Sequence, residues 1–239
     1  MTRDDTRASL LAGSPRLSVG ILTADLGHLA DELDRLDAAG MTMVHTDVMD
    51  GVFCPMLTVG APFVSAQRTG LLKDVHLMID EPLDKVGMFV QAGADMVTFQ
   101  VESARNPHRV LQVLGDAQNA NDPARGIMRG IALSPGTPLE VLPPLLDELD
   151  YVMLLAINPG WGGQSFHPGT AARVAGVREL IAVSGRRILL GLDGGVTRGN
   201  IAQVGALGAD IVVTGSAIFD GSPNVEANAA YMRNALSAH

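Results

Sequence analysis

Imidazole and carboxylate groups occur two residues apart in the segment 45–50, which reads His-Thr-Asp-Val-Met-Asp. Successive side chains of a β-strand point to opposite faces, so His45 and Asp47 share one face with Met49. A buried charge without a partner is strongly unfavourable. The spacing therefore indicates metal ligands or a catalytic pair, and the alternative is a structural His-Asp pair that satisfies its own charges.

Two later segments carry side chains of the same kind. His76 lies in the apolar stretch 75–79, and Asp193 precedes Gly194 and Gly195 in the segment 191–196. Two imidazoles and two carboxylates suit Zn²⁺ or another divalent transition ion, because nitrogen ligands argue against Mg²⁺ and Ca²⁺. Taken alone, the Asp-Gly-Gly sequence is equally typical of a plain turn. A metal site requires that these distant segments meet.

Glycine-rich segments follow three of the later predicted strands. Glycine lets backbone amides approach an anion closely, so loops of this kind can bind a phosphate group. Each segment alone is also typical of an ordinary turn. The candidate phosphate-binding residues are Gly160, Trp161, Gly162, Gly163, Gly194, Gly195, Gly215 and Ser216.

Eight short apolar runs alternate with stretches of helical periodicity. The predicted strands are 17–22, 43–49, 73–78, 96–100, 130–133, 151–157, 188–192 and 211–214. The predicted helices are 25–39, 61–68, 82–92, 107–114, 138–148, 171–184, 197–207 and 224–235. This repetition predicts an α/β fold in which a (β/α)₈ TIM barrel closes on itself, with an open doubly wound sheet as the alternative. In a barrel, the ends of the strands bring the ligand residues together.

Local signals support the predicted boundaries. Gly40, Gly93 and Gly208 each follow a predicted helix, where glycine readily adopts the left-handed conformation that ends it. The residues Thr137 to Glu140 have the spacing of a capping box, with Pro138 at the first helical position. The polar segment 115–126 interrupts the alternation and is interpreted as a surface insertion without an assigned function.

Composition limits the class of protein. The 239 residues are 47% hydrophobic and 18% charged, which suits one barrel domain over 15–239, preceded by a flexible tail at 1–14. The net charge of −9 argues against a nucleic-acid partner. Cys54 is the only cysteine, which favours a cytoplasmic location. Without a signal sequence or a long apolar run, no membrane association is expected.

Together these segments resemble the ribulose-phosphate 3-epimerase family. The similarity extends over about residues 17 to 236 and is carried by the segments 45–51, 55–60, 75–79, 159–166, 192–196 and 215–219. It implies that the chain is an isomerase that interconverts D-ribulose 5-phosphate and D-xylulose 5-phosphate. The partner would be a small sugar phosphate, and the protein a homodimer or a larger even assembly.

The resemblance also implies roles for individual residues. His45, Asp47, His76 and Asp193 would bind one divalent metal ion, above all Zn²⁺, with Fe²⁺, Mn²⁺ or Co²⁺ as possible substitutes. Asp47 and Asp193 would also be the acid/base pair, transferring protons through a metal-stabilised 2,3-enediolate. The glycine loops and His76 would contact substrate. Met49 and Met78 would line the intermediate, although ordinary barrel packing explains them equally well.

Several positions depart from the family pattern around this constellation. Gly20 stands where the family commonly has serine, Gln100 and Val52 where it has histidine, Leu155 where it has methionine, and Trp161 where it has phenylalanine. The metal ligands are unchanged. We therefore expect metal binding and proton transfer, with the preferred sugar left open.

The sequence leaves three further functions open. The first is a 3-epimerase of another ketose phosphate, such as allulose 6-phosphate, and the second is a sugar-phosphate binding protein without catalysis. The third is a lyase or decarboxylase on the same scaffold, which would need a lysine in the site, whereas Lys73 and Lys85 lie elsewhere. No thiol is needed for proton abstraction, so Cys54 is not expected to be a nucleophile. The remaining histidines are interpreted as surface or loop residues: His28, His108, His167 and His239.

Overall fold

Eight parallel strands form a closed ring in which each strand pairs with its neighbours in sequence and β1 pairs with β8. A computed structural model describes residues 2–238 of the chain. The strands are β1 Arg16–Gly20, β2 Met43–Met49, β3 Leu72–Met78, β4 Met96–Gln100, β5 Met128–Leu133, β6 Tyr151–Leu155, β7 Leu189–Asp193 and β8 Ile211–Thr214. The predicted (β/α)₈ TIM barrel is therefore confirmed, and the open sheet is excluded.

Helices surround the ring. The α-helices are α1 Arg3–Ala12, α2 Leu29–Ala38, α3 Ala61–Ala66, α4 Val86–Gln91, α5 Pro107–Asp116, α6 Thr170–Ser184, α7 Ile201–Gly205 and α8 Val225–Leu236. Short 3₁₀ helices lie at Ile21–Thr23, Leu26–His28, Val101–Ser103, Leu139–Val141 and Pro143–Glu148. Gly40, Gly93 and Gly208 have φ values of 73°, 90° and 82°, which confirms the predicted left-handed helix ends. Among residues 2–238, no helix has the length and hydropathy to cross a lipid bilayer.

The segment between β5 and β6 differs from the expected helix. It forms only two 3₁₀ helices, because Pro143 and Pro144 lack the backbone N–H groups that a continuous α-helix needs. The predicted capping box is also wrong, since the hydroxyl of Thr137 donates a hydrogen bond to the carboxylate of Glu102 instead.

The N-terminal segment also differs from the expectation of a flexible tail. Residues 3–12 form α1, whose first turn has a capping box between Thr2 and Asp5. Arg7 on this helix donates to the buried carboxylate of Asp150 at 2.6 Å. Leu10 is only 2% exposed and packs with Met43 and other side chains inside the barrel. The segment therefore covers one end of the ring.

Apolar side chains fill the space inside the strands next to α1, which we call the lower end of the barrel. Met43, Met96, Met128 and Tyr151 are buried there. The Tyr151 ring fits because β7 has no side chain beside it: a Cβ atom on Gly191 would collide with the tyrosine hydroxyl. The lower part of the barrel is therefore a packed core, and the opposite end, where the strands terminate, is left for a binding site.

The 115–126 segment lies partly on the surface, as expected, but it is anchored. Asn119 is 1% exposed and donates from Nδ2 to Asp95 Oδ1 at 2.8 Å. Arg125 also pairs with Asp95. The buried side chains of the segment thus fix the loop after α5 to the residue that precedes β4.

We expect Leu10→Ala to lower the free energy of unfolding by about 2–5 kcal/mol, because it leaves a cavity between α1 and the barrel interior. Urea denaturation measures this difference. The control is Ser9→Ala on the exposed face of the same helix, with an expected change within about 0.5 kcal/mol. Equal stability of the two variants would show that α1 is not packed against the barrel.

Candidate active site

Four ligand-type side chains from three strands meet at one point. β2 carries His45 and Asp47, β3 carries His76, and β7 ends at Asp193. One ligand atom from each residue lies within 4.8 Å of the others. Both imidazoles are fully buried, and both carboxylates are partly exposed. The structure thus brings together four residues that come from three separate segments of the sequence.

The short contacts show which atoms face the centre. Asp47 Oδ1 lies 3.2 Å from both His45 Nε2 and His76 Nδ1, and Asp193 Oδ2 lies 3.7 Å from His76 Nδ1. Two nitrogens and two carboxylate oxygens are a ligand set that divalent transition ions accept in a four-coordinate site. The residues present therefore fit a metal ion of this class.

A second carboxylate orients His45 from outside this cluster. Asp74 Oδ2 lies 2.8 Å from His45 Nδ1 and accepts a hydrogen bond of the same length from the hydroxyl of Ser18. A carboxylate accepts the Nδ1–H, so the other ring nitrogen, Nε2, faces Asp47 and the cluster. Asp74 is thus a support for His45 that the sequence reasoning missed.

The signal for Asp74 was present in the sequence. Asp74 and His76 are two residues apart, as are His45 and Asp47, so each pair occupies one strand face. In the parallel register, His45 lies beside Asp74, and Asp47 lies beside His76. The two segments are therefore reversed copies of one pattern, and each histidine meets a carboxylate of the neighbouring strand.

The surroundings separate the pKa values of the two carboxyl groups in the cluster. Burial raises the pKa of Asp47, but the charges and hydrogen bonds of His45 and His76 outweigh burial and hold this pKa well below its ordinary value. Burial and then the charge of Asp47 raise the pKa of Asp193 to about 6, although both histidines act to lower it. The protein groups alone thus favour one ionised carboxylate beside one that holds a proton close to neutral pH.

The charge state of His45 follows from its two carboxylate neighbours. Burial lowers the pKa of His45, but the charges of Asp74 and then Asp47 outweigh it and raise the pKa well above its usual value. Without another cation in the cluster, the imidazolium form of His45 balances these carboxylates.

A cavity of about 420 Å³ opens above the cluster. Asp47 and Asp193 are part of its wall, and Met49 and Met78 line it beside them. The other walls are mainly apolar and come from the end of β6 and the loops after β1, β2 and β6: Leu22, Leu26, Met56, Val59, Leu155, Ile157, Pro159, Gly160, Trp161 and Gly162.

A second cavity, of about 150 Å³, adjoins both carboxylates. Gly194, Gly195, Gly215 and Ser216 line it, as does Gly20. Gly194 and Gly195 have φ values of 94° and 69°, a left-handed conformation that side chains disfavour. Among the described residues that line this cavity there is no lysine or arginine, so an anion would depend on backbone N–H groups.

Not every predicted site residue faces these cavities. Gly163 lies outside both linings, in a turn with φ 77°, and His76 is fully buried beneath them. The histidines outside the cluster behave as expected, since His28, His108 and His167 are exposed, while His239 lies outside the described residues. Cys54 is buried beside Gly160.

The chain matches the ribulose-phosphate 3 epimerase family over residues 16–219. It is 40% identical over 212 residues to a ribulose-phosphate 3-epimerase of Serratia marcescens, covering 87% of this chain and 96% of that protein. It is 38% identical over 218 residues to ribulose-phosphate 3-epimerase 2 of Cupriavidus necator, covering 88% and 86%. The chain belongs to the ribulose-phosphate 3-epimerase family. The resemblance found in the sequence is confirmed, and this family member is an enzyme of the isomerase class.

Solved structures support the fold of this ribulose-phosphate 3-epimerase family member over nearly its whole length. A 3-hexulose-6-phosphate synthase from Salmonella typhimurium superimposes with a TM-score of 0.61, covering 94% of this chain and 99% of that one. At 18% identity, this similarity concerns the barrel alone.

We expect Asp74→Asn to weaken the binding of divalent cations at the cluster of His45, Asp47, His76 and Asp193 by about 10-fold or more. The amide retains the shape of Asp74 but loses the charge that holds the His45 Nδ1–H, and such outer partners typically contribute 10–100-fold to metal affinity. Competition with a chromophoric chelator measures the affinity. Asp84→Asn, which removes the same charge from an exposed position, is the control and should match the wild type. Unchanged affinity in Asp74→Asn would contradict the assigned support.

Proposed function

We propose that this protein catalyses the 3-epimerisation of a ketose phosphate and interconverts D-ribulose 5-phosphate and D-xylulose 5-phosphate. The observation that carries this proposal is the position of two carboxyl groups, Asp47 and Asp193, beside two imidazoles at the wall of a cavity of about 420 Å³. The names of the family members supply the substrate.

Asp47 and Asp193 are the proposed catalytic residues. Epimerisation beside a ketone removes the C3 proton from one face and returns a proton to the other, so it needs one base and one acid. Asp47, ionised, accepts the proton, and Asp193, protonated, delivers one to the opposite face. The reverse reaction exchanges these roles. The enediolate that forms between the two transfers carries negative charge on neighbouring oxygens.

His45, Asp47, His76 and Asp193 would hold one divalent metal ion, with Zn²⁺ as the first candidate and Fe²⁺, Mn²⁺ or Co²⁺ as the others. When bound, the ion supplies Lewis-acid stabilisation of the negative charge that develops on the substrate oxygens. Asp74 keeps the His45 ring turned so that Nε2 faces the cluster.

Substrate binding is assigned to both cavities. The sugar would occupy the larger one, against Met49, Met78 and Trp161, where the apolar wall excludes water from the enediolate. The phosphate group would lie in the smaller one, at the backbone of Gly194, Gly195, Gly215 and Ser216. Gly160, Gly162 and Gly163 would shape the loop between them, and the buried His76 would act from beneath.

A different ketose phosphate, such as allulose 6-phosphate, is the second candidate substrate. The observation in its favour is Gly20, which lines the phosphate cavity without a side chain. A Cβ atom there would lie 3.3 Å from the Cα of Gly215, so the serine common in the family would be tightly packed at this position. Leu155 also changes the wall of the larger cavity.

Binding without catalysis and carbon–carbon cleavage both have less support than epimerisation. A binding protein without catalysis gains little from two carboxylates beside one cation. A lyase or decarboxylase would need a lysine, but Lys73 Nζ donates to the carbonyl of Val64 and Lys85 Nζ to that of Glu81. Neither lysine lines the two cavities.

Location and assembly also belong to the proposal. The single cysteine, Cys54, supports a cytoplasmic location, because a reducing compartment does not favour disulfides. The family resemblance supports an even homo-oligomer.

In deuterium oxide, we expect the zinc-loaded protein to incorporate one solvent deuterium at C3 of its substrate, because the carboxyl group that delivers the new proton exchanges its own proton with solvent between turnovers. Mass spectrometry and proton NMR of a panel containing ribulose 5-phosphate, xylulose 5-phosphate and allulose 6-phosphate measure this. The fastest exchange identifies the preferred sugar. Absence of exchange with every sugar would refute the proposed reaction, and a shortened carbon chain would indicate a lyase.

We expect Asp193→Asn to leave the barrel folded and to reduce kcat by about 10²–10⁴-fold, because an amide cannot deliver the second proton. Circular dichroism checks the fold, and a coupled assay measures kcat. The control is Asp34→Asn on the exposed face of α2, which removes the same charge away from the site. Turnover of Asp193→Asn near the wild-type rate would exclude the catalytic role.

A further inference from the structure

Gln100 lies at the end of β4, directly behind one of the candidate metal ligands. It is fully buried, and its amide nitrogen lies 3.0 Å from His76 Nε2. The other ring nitrogen, His76 Nδ1, faces Asp47 and Asp193. Within the described residues 2–238, the hydrogen bond to the His76 ring is thus the link between the Gln100 side chain and the cluster.

The two nitrogens of a neutral imidazole cannot have the same role, since one carries the proton and the other a lone pair. A metal ion at the cluster needs the lone pair of His76 Nδ1. The proton must then be on Nε2, and the group next to Nε2 must accept it. The partner of Nε2 thus decides whether the ring is ready to bind metal.

The amide of Gln100 has the opposite orientation in this structure. Its nitrogen donates towards His76 Nε2, which matches a ring whose Nδ1–H donates to Asp47 Oδ1 at 3.2 Å. The amide oxygen, Gln100 Oε1, is buried and lacks a hydrogen-bond partner among the described residues. A half-turn of the amide would bring this oxygen to Nε2, because the two ends of a carboxamide have nearly the same shape.

We propose that Gln100 is a positioning residue whose amide turns over when a metal ion binds, so that its oxygen accepts the His76 Nε2–H and fixes the tautomer that binds metal through Nδ1. This inference rests on the proposed metal site. It adds a residue that touches neither metal nor substrate and that acts only through the His76 ring.

The support of His45 shows what is distinctive about Gln100. An ionised Asp74 can only accept a hydrogen bond, so it keeps the proton on His45 Nδ1 whether or not metal is present. Gln100 can donate or accept, so it supports His76 in both tautomers. The position of the ring proton is therefore fixed in advance at His45, whereas at His76 it can change when a metal ion binds.

Three variants separate this role from simple packing. Gln100→Glu keeps the shape and acts as an acceptor when ionised, so we expect at least wild-type zinc affinity. Gln100→Leu keeps the volume but leaves the Nε2–H without a partner, so we expect about 10-fold weaker binding. Thr98→Val is the control, because Thr98 is buried one step earlier on the same strand face, beside His76 in register, and its hydroxyl has no hydrogen-bond partner among the described residues. Its zinc affinity should stay within about 2-fold of wild type.

The direct test is the position of the His76 ring proton in zinc-loaded wild-type protein. Long-range proton–nitrogen NMR spectra of ¹⁵N-histidine-labelled protein, with His76 identified by its loss in His76→Gln, should show the proton on Nε2. Competition with a chromophoric chelator gives the zinc affinities, and thermal melting checks that each variant is folded.

The outcomes distinguish this inference from the proposed function. If wild-type protein takes up no zinc, the metal site itself is wrong. If wild type binds zinc but carries the His76 proton on Nδ1, or if folded Gln100→Leu binds zinc as tightly as wild type, the role of Gln100 alone is refuted. The proton on Nε2, weaker binding by Gln100→Leu and retained binding by Gln100→Glu would support it.

Discussion

The register between β2 and β3 is the constraint on which the site depends. Parallel pairing places His45 beside Asp74 and Asp47 beside His76, so four polar side chains enter the barrel together. Side chains alternate along a strand, so a slip of one residue would turn the inward-facing side chains of β2 outwards, towards the helices. The apolar residues that alternate with these positions, such as Val44, Val48 and Val75, belong to the hydrophobic core outside the ring and oppose that slip.

Crowding these groups in a buried place creates their chemistry. Two carboxylates that face the same imidazoles cannot be equally ionised at low cost, and the surroundings favour ionisation at Asp47 over Asp193. Close contacts with both imidazoles lower the pKa of Asp47, whereas burial and the charge of Asp47 outweigh the histidines at Asp193 and raise its pKa. Acid and base functions thus follow from position rather than from residue type.

Much of this could be predicted from the sequence because short apolar runs separated by glycine and proline are strong local signals. The bounds of β2, β4 and β8 matched the prediction, and His45, Asp47, His76 and Asp193 were expected to meet. Recognition of the family supplied the roles. Physical reasoning from single segments supplied only the ligand types and their strand faces. The features that were missed depend on contacts between distant segments. The sequence of α1 is typical of a flexible tail, and the contacts of Leu10 and Arg7 with the barrel are not visible in it. Asp74 and Gln100 gain their roles only from the histidines beside them. The prediction of an α-helix over 138–148 was wrong for a local reason, since two consecutive prolines outweighed the capping signal.

The packed lower half of the barrel also shapes turnover. Methionine side chains and Tyr151 fill the barrel axis next to α1. Solutes therefore cannot pass through the barrel from one end to the other. Reactant and product must therefore enter and leave through the same opening, at the carboxyl ends of the strands. Product must therefore leave before the next substrate molecule binds. Changes in the loops around this opening can alter substrate entry without disturbing the packed core at the other end.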